Sequence, residues 1–513
     1  MTLHQMLLQV PDLALPFAPT QSQIVLAVVL PLLGAFLMQP LARVSRTLAL
    51  ALGPIVLAAS AYLLIALSLE YGGAPFVVAI GGYAPPLGVV FYVDRLALLF
   101  ATAVPLFTLL FWWRAEPDAA GSTDSARRDA VMLLLAAAAT GLALSGDLFN
   151  IYVVYELTAV ASFGLVALRA TGAAYIATVR YLLLSALGSV LALVGIAIVY
   201  LLTGTLNLAQ IAQLAPGTLA NPAGLAAFAL LLVGFGVKAE LFPVNTWVPE
   251  VYATAPARIS ALLAGLISKL AVLVVLRLVV LAFDGTGAQT LLLALGTLGV
   301  LTGELAAWRA QDFPRMLAYS SVGQLGVVFI ALSLPGYTGV FAALAVALHH
   351  VVVKSALFGL ATRWNGSLEA LAGAARTAPR ASILFVLFAL SLIGVPPLPG
   401  FWAKLLVLVG LAQLGTQAAL TALAVILLAT AVEANYLFRV AVRLFQRASD
   451  GAPAPPRPGR FDVAVASLLG LVLLGATVTI DPLSTWLGGI AAQTTDVDAT
   501  IATVFPTPIA QTP

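Results

Sequence analysis

Four lysines occur in the 513-residue chain, Lys238, Lys269, Lys354 and Lys404, and each falls inside a long apolar run, while the polar connections take arginine as their cation. An ammonium group placed in hydrocarbon costs about 2.5 to 3.5 kcal/mol on insertion scales, so four of them require a reason. Arginine keeps its charge, whereas a buried lysine can give up its proton, which suits lysine to carrying protons near neutral pH. The same apolar runs hold Glu156, His349 and His350. Together these seven residues, Glu156, Lys238, Lys269, His349, His350, Lys354 and Lys404, form a candidate proton-transfer relay. Lys269 and His350 lie about ten residues from a helix end, roughly 15 Å deep at 1.5 Å per residue, too far to reach the interface easily. Three further carboxylates in apolar runs, Glu240, Glu304 and Glu433, either pair with a neighbouring Lys or Arg or face an internal water path, and the structural reading is favoured for them.

The composition sets what must position these groups. The chain is 62% hydrophobic and 9% charged, which defines an integral membrane protein. It has no cysteine and three histidines, which argues against disulfides, thiolate metal sites and iron–sulfur clusters. No cofactor and no metal are therefore expected, and the chain carries no catalytic centre of its own. Any redox chemistry belongs to partners. Glycine patterns in the spans read as helix-packing surfaces rather than nucleotide sites. A net charge of +3 suits anionic lipid headgroups and gives no argument for nucleic acid.

Fourteen apolar stretches are long enough to cross about 30 Å of hydrocarbon. They fall at 23–39, 47–69, 88–113, 130–146, 149–168, 176–203, 222–243, 259–283, 288–308, 317–334, 339–363, 381–411, 416–445 and 461–479. All should be helical, because an open strand edge in lipid leaves backbone groups unpaired. Numbering the loops in order puts eighteen of the twenty arginines on one side, from Arg43 to Arg460. Glu70, Asp147, Asp284, Asp481, Asp496 and Asp498 fall on the other. Positive-inside bias makes the arginine side cytoplasmic and places both termini outside an inner, or plasma, membrane. The exceptions are Arg95, expected to pair with Asp94 beside it, and Arg277.

The organisation expected is an extracytoplasmic segment at 1–22, one transmembrane domain at 23–483 and an extracytoplasmic tail at 484–513, loosely ordered after Ile490. No cleaved signal peptide is read in MTLHQMLLQVPDLALP, and ASDGAPAPPRPGRFD (448–462) reads as a Pro-rich linker. Pro243 follows Lys238 by five residues, and VPPLPG (395–400) ends four residues before Lys404, so helices 7 and 12 are expected to be broken. Spans four to eight (130–283) and nine to thirteen (288–445) form nearly equal blocks with a broken, Lys-bearing helix fourth in each. Five helices per block is an odd number, so tandem copies enter the membrane from opposite faces, as inverted repeats. The fold class expected is thus all-α integral membrane, with about 14 transmembrane helices and two inverted five-helix repeats.

Several long motifs occur in one order: GDLFNIYVVYELTAVASFGLVAL (146–168), ATVRYLLLSALGSVLALVGIAIVYLLTGTLNLAQ (177–210), GFGVKAELFPVNTWVPEVYATAPARISALLAGLISKL (234–270), DFPRMLAYSSVGQLG (312–326), HHVVVKSALF (349–358) and GVPPLPGFWAKLLVL (394–408). In these motifs the chain resembles the D subunit of the Mrp multisubunit sodium/proton antiporters, over about 85 to 480. Antiporter-like subunits of respiratory complex I and of membrane-bound hydrogenases share the pattern. The resemblance implies a fourteen-helix fold with inverted five-helix repeats and proton conduction along a central hydrophilic axis, within a larger complex of membrane subunits. It implies a functional pair at Glu156 and Lys238, continued by Lys269, by His349 or His350 with Lys354, and by Lys404. Two departures stand out: the usual basic pair after the Asp of the D-x-K-R motif is reduced to Asp312 and Arg315 around Pro314, and Glu240 adds a carboxylate near Lys238.

The function expected is proton translocation through this Glu/Lys/His relay, with Glu156 tuning Lys238 by making or breaking an ion pair. Two alternatives remain. One is an ion-exchange subunit of a sodium/proton antiporter not driven by redox chemistry; the other is a non-conducting scaffold paralogue.

Overall fold

The structure is a computed structural model and describes residues 23–71, 73–112, 122–285, 287–447 and 455–506. The expected N-terminal segment and residues 448–454 of the linker lie outside these. The described residues are mostly helical. In order come α1 (Ile24–Val44), α2 (Arg46–Glu70), a short antiparallel hairpin of β1 (Phe76–Ala79) and β2 (Val90–Val93), α3 (Arg95–Leu110), α4 (Ser122–Leu144), α5 (Leu148–Ala167) and α6 (Gly172–Thr203). Next are α7 (Leu208–Thr218), α8 (Pro222–Gly236), α9 (Val248–Thr254), α10 (Ala257–Leu281), α11 (Ala288–Arg309), α12 (Phe313–Leu332) and α13 (Gly336–Leu360). The chain continues as α14 (Pro379–Ile393), α15 (Pro399–Leu414), α16 (Gln417–Phe445), α17 (Arg460–Val478), α18 (Ile480–Thr495) and α19 (Val497–Val504).

Among the described residues, ten helices are long and apolar enough to cross a membrane, namely α1, α2, α5, α6, α10, α11, α12, α13, α16 and α17, and α3, α8, α14 and α15 are shorter apolar helices. The difference from fourteen full-length stretches has local causes. The stretch from 88 opens as a strand: Val90–Val93 is β-branched and aromatic and pairs with Phe76–Ala79, and helix begins only after Asp94, whose side chain caps it from Ala97 N at 2.7 Å. The stretch 222–243 stops at Gly236, and 381–411 divides into α14 and α15. Proline explains the second, since it supplies no amide donor and cannot continue a helix; after the first, Glu240 takes a left-handed backbone and Pro243 follows it.

The second difference is at the C-terminus. The tail from Ile490 is helical, and α18 and α19 pack back against the hairpin region: Gln493 accepts from Arg95 N at 2.9 Å and donates to the Gly73 carbonyl at 2.7 Å, and Tyr92 donates to Thr500 at 3.2 Å. Those hydrogen bonds, with Asp496 capping α19, give the tail a place to fold.

Helices approach closely where glycines face each other, as membrane interfaces favour. On α6 and α8, a Cβ on Gly234 would meet the Gly188 carbonyl at 2.6 Å; on α11 and α12, a Cβ on Gly303 would meet Gly323 N at 2.4 Å. These glycines are packing surfaces. Elsewhere α6 presents Leu183, Leu187 and Val190, each more than half exposed, which are faces for lipid or neighbouring chains.

Candidate functional site

The first helix break runs from Val237 to Trp247, between α8 and α9, and carries Lys238, Glu240 and Pro243. Helical bonding fails here, and substitutes take the freed groups: Leu241 N reaches the Gly236 carbonyl at 2.9 Å, and Trp247 Nε1 donates to the Val237 carbonyl at 3.0 Å. Glu240 has a left-handed backbone, φ 58°, which residues other than glycine seldom adopt. Lys238 is 2% exposed; its Nζ has no hydrogen-bond partner and sits 3.4 Å from the centroid of the Tyr155 ring. Tyr155, on α5, is anchored by donating to the Gly234 and Phe235 carbonyls at 3.2 and 3.0 Å.

Glu156, the next residue on α5, lies within electrostatic reach of Lys238, but the two form neither a hydrogen bond nor a contact ion pair, and Glu156 Oε1 is buried without a partner. The expected pair is therefore open, with an aromatic ring against the ammonium. Glu240, a carboxylate two residues from Lys238 in the sequence, instead faces Lys269 and Lys354 and accepts from the Tyr252 hydroxyl at 2.8 Å. Its left-handed backbone redirects the side chain relative to a helical register.

Lys269 lies in α10, fully buried, just after a π-helical turn at Leu263–Ile267. Such a turn takes carbonyls out of the regular helical ladder. Lys269 Nζ donates to the carbonyl of Ala264, inside that turn, and to Ser268 Oγ at 3.1 Å. Gly265 in the same turn lets α13 close in, where Ser355 Oγ donates to the Ala261 carbonyl at 3.3 Å. Lys354, next to Ser355 on α13, is fully buried and donates to Ser320 Oγ at 2.7 Å and to the Leu317 carbonyl at 3.1 Å, both on α12. The adjacent histidines diverge. His350 is fully buried within electrostatic reach of Lys269 and Lys354, and neither ring nitrogen has a partner. His349 faces the second break, its Nε2 2.9 Å from Ser391 Oγ, with Lys404 in reach.

That second break, Gly394–Leu398, opens with Gly394 in the left-handed cap conformation (φ 92°), followed by Pro396, Pro397 and Pro399. Lys404 Nζ donates back across it to the Ile393 carbonyl at 3.2 Å and to Glu433 Oε2 at 2.6 Å. Glu433 on α16 also accepts from Gln324 at 2.7 Å, and Glu304 on α11 accepts from Tyr436 at 2.8 Å. Glu304 stands within electrostatic reach of Glu433, Lys404 and Lys354. Glu304, Gln324, Lys404, Thr430 and Glu433 line one small internal cavity.

The structure thus brings six of the seven candidate residues into two neighbouring clusters, Glu156 with Lys238, and Lys269, His350, Lys354 and Lys404 with their partners, while His349 attaches at the α14–α15 break. Sequence reasoning sets Glu433, Glu304 and Glu240 aside as structural; Glu433 is the direct partner of Lys404. The available signal is a lone carboxylate amid apolar residues of a span, the feature that also picks out Glu156. Tyr155 and Tyr252 carry no such signal, because tyrosine is common in membrane helices.

One expected pair is corrected. Asp94 binds Arg277, not the adjacent Arg95, through two hydrogen bonds of 2.7 and 2.8 Å. As the residue that caps α3, Asp94 presents its carboxylate to a guanidinium reaching over from α10, and the fork fits it with both donors. That accounts for an arginine on the wrong side of the charge pattern.

The two blocks also share an end-of-helix device. Asp147 caps α5 from Phe149 N and Asn150 N at 2.9 and 3.0 Å, and Leu148 N and Gly146 O bond to Leu206 O and Leu208 N. Asp312 caps α12 from Arg315 N at 3.0 Å, and Phe313 N and Gln311 O bond to Gly366 O and Leu368 N. Burial pushes both caps' carboxyls up from the ordinary range, while the amide hydrogen bonds oppose the shift.

Buried ionisable groups strung between interrupted membrane helices define an antiporter-like membrane subunit. Residues 145–430 match the family described as NADH:quinone oxidoreductase/Mrp antiporter, TM, and the chain belongs to that family. It is 31% identical over 479 residues to the N subunit of the NADH-quinone oxidoreductase of Desulforudis audaxviator, covering 89% of this chain and 94% of that one. It is 33% identical over 344 residues to the D subunit of the Na(+)/H(+) antiporter of Alkalihalophilus pseudofirmus, 64% of this chain and 68% of the relative. Among solved structures, a chain of the membrane-bound sulfane sulfur reductase, an archaeal respiratory membrane complex, superposes with a TM-score of 0.86 at 30% identity, over 94% of this chain and 100% of that one. A chain of the Mrp complex from Dietzia sp. gives 0.83 at 25%, over 94% and 99%.

Proposed function

We propose that this subunit translocates protons along its buried axis, from Glu156 and Lys238 through Lys269, His350 and Lys354 to Lys404. The observation that carries the reading is the set of four buried lysines, two of them at or just beyond helix breaks, with carboxylates and histidines interleaved. Proton traffic needs groups that exchange protons in a dry interior, and opening or closing an ion pair moves a lysine's proton affinity. Lys238 stores a proton; Glu156, standing off from it, closes onto it or withdraws as the complex changes conformation. His349 joins at Lys404.

The same reading includes a fourteen-span membrane domain at 23–483 with inverted five-helix repeats, the termini outside and the arginine-rich loops in the cytoplasm of an inner-membrane protein, in contact with anionic lipids. The matched devices at Asp147 and Asp312 support the repeats, because each ties the start of the second helix in a block to the connection after the third. Its partners are other membrane subunits of a multisubunit complex, as in the solved assemblies it resembles.

The test is proton flux in vesicles bearing the complex. Lys238→Ala and Glu156→Gln are each expected to abolish most of the flux with the complex still assembled; near-normal flux in either removes that residue from the mechanism. A second reading, sodium/proton exchange without redox drive, is favoured by the relatives that are named as D subunits of Na(+)/H(+) antiporters. Purification from native membranes separates the two: quinone-, hydrogen- or NADH-linked subunits indicate redox drive, and small antiporter subunits alone indicate ion exchange.

A further inference from the structure

A cleft is lined by Arg169 and Arg258 with Tyr252, Pro256, Thr362 and Asn365. Tyr252 is 2% exposed, lines the cleft, and donates its hydroxyl proton to Glu240 Oε1 at 2.8 Å. Glu240 is 1% exposed, and its other oxygen, Oε2, is buried with no hydrogen-bond partner. A carboxylate in a membrane interior with half its acceptor capacity unused is expensive to keep, and such groups mark ion or proton paths. Three elements hold this one in place: the left-handed turn at Glu240 itself, the Tyr252 ring set edge-on to Trp247 and Phe358 at 5.6 and 5.5 Å, and Ser260 Oγ donating to the Tyr252 carbonyl at 3.1 Å.

We propose that Glu240 is the proton-uptake carboxylate of this subunit, loaded from the cleft through the Tyr252 hydroxyl and unloaded onto Lys269. The proposal rests on the proton-conducting reading above. In the loading step, a proton from cleft water binds the Tyr252 oxygen as the Tyr252 hydroxyl proton passes to Glu240 Oε1. Tyr252 ends neutral, as it began, and Glu240 becomes a carboxylic acid. Transfer from Glu240 to a neutral Lys269 amine then regenerates the carboxylate and makes an ammonium, so charge and protons balance. The groups facing Glu240 are Tyr252 from α9, Lys269 from α10, Ser321 from α12, Lys354 from α13 and Tyr181 from α6. The two lysines make the site receptive to a negative charge between proton arrivals.

The experiment uses the assembled complex in proteoliposomes, comparing wild type with Glu240→Gln, Glu240→Asp and Tyr252→Phe. Glu240→Gln is nearly isosteric and keeps an oxygen to accept from Tyr252, so the turn survives while the exchangeable proton is lost. Flux is expected to fall about tenfold or more in Glu240→Gln and in Tyr252→Phe, in the range that positioned proton donors contribute. Glu240→Asp should recover part of the rate with a displaced pH profile, and an infrared carboxyl signal that changes with pH in wild type should vanish in Glu240→Gln. Wild-type rate and pH profile in both Glu240→Gln and Tyr252→Phe, alongside a dead Lys238→Ala, overturn the proposal and leave proton conduction standing. No flux in wild type overturns both. If Glu240→Gln does not assemble, Tyr252→Phe decides alone, since it keeps the ring packing and loses only the hydroxyl.

Discussion

At the first helix break, Lys238 Nζ has a tyrosine ring 3.4 Å away and no hydrogen bond, with its carboxylate Glu156 standing off. At the second, Lys404 Nζ holds Glu433 at 2.6 Å and caps the Ile393 carbonyl at 3.2 Å. The frames match: each lysine sits at or just past a proline-bearing interruption, and each block begins its second helix with a capping aspartate tied to the connection after its third. Charge pairing differs inside matched frames. One pair is open and the other closed. Pair state is therefore a property of side chains and not of the fold that carries them.

The largest expected effect breaks the closed pair. Glu433→Gln leaves Lys404 buried with no carboxylate in contact, and removing one partner of a buried ion pair destabilises by about 3 to 5 kcal/mol. Thermal unfolding of the solubilised complex should show it, whereas Glu156→Gln, which removes no hydrogen bond or contact ion pair, should leave the transition nearly where it was. Equal losses in the two variants would end the distinction between open and closed pairs.

A double-mutant cycle sharpens the same point at smaller scale. Contacting charges couple by about 0.5 to 3 kcal/mol, and separated ones add independently. Lys404→Met with Glu433→Gln should sit in the upper part of that range, and Lys238→Met with Glu156→Gln in its lower part, since that pair interacts through space without contact. A strong coupling at Lys238 would mean that the pair closes for much of the time.

Much of this is legible in the residues. Lysines confined to apolar runs, and prolines beside two of them, locate the axis and both breaks, because charge in lipid and proline in a helix each carry a large penalty. Pairings are not legible. Asp94 stands beside Arg95 in the sequence but binds Arg277, 183 positions away, because capping α3 turns its carboxylate toward α10. The π turn ahead of Lys269 leaves no mark in the apolar pattern, and Glu240's facing depends on a left-handed turn that composition does not reveal. The C-terminal helices read as loose tail because their own pattern is weak; contacts with the hairpin hold them.

The smallest effect concerns what stands in for a carboxylate at Lys238. If the Tyr155 ring face is the stabilising element, Tyr155→Phe keeps it and loses only the hydroxyl's hydrogen bonds, those given to the Gly234 and Phe235 carbonyls and the long one accepted from Lys238 N, about 1 kcal/mol of stability with flux near wild type. Tyr155→Leu removes the ring as well, forfeiting a desolvated cation–π contact worth about 2 kcal/mol, and should lower flux because the ammonium then has neither ring nor carboxylate beside it. Flux lost already in Tyr155→Phe would show that the hydroxyl, which also accepts from Lys238 N at 3.4 Å, does more than anchor the ring. The first break would then resemble the uptake path at Tyr252, where the hydroxyl and not the ring is the working part.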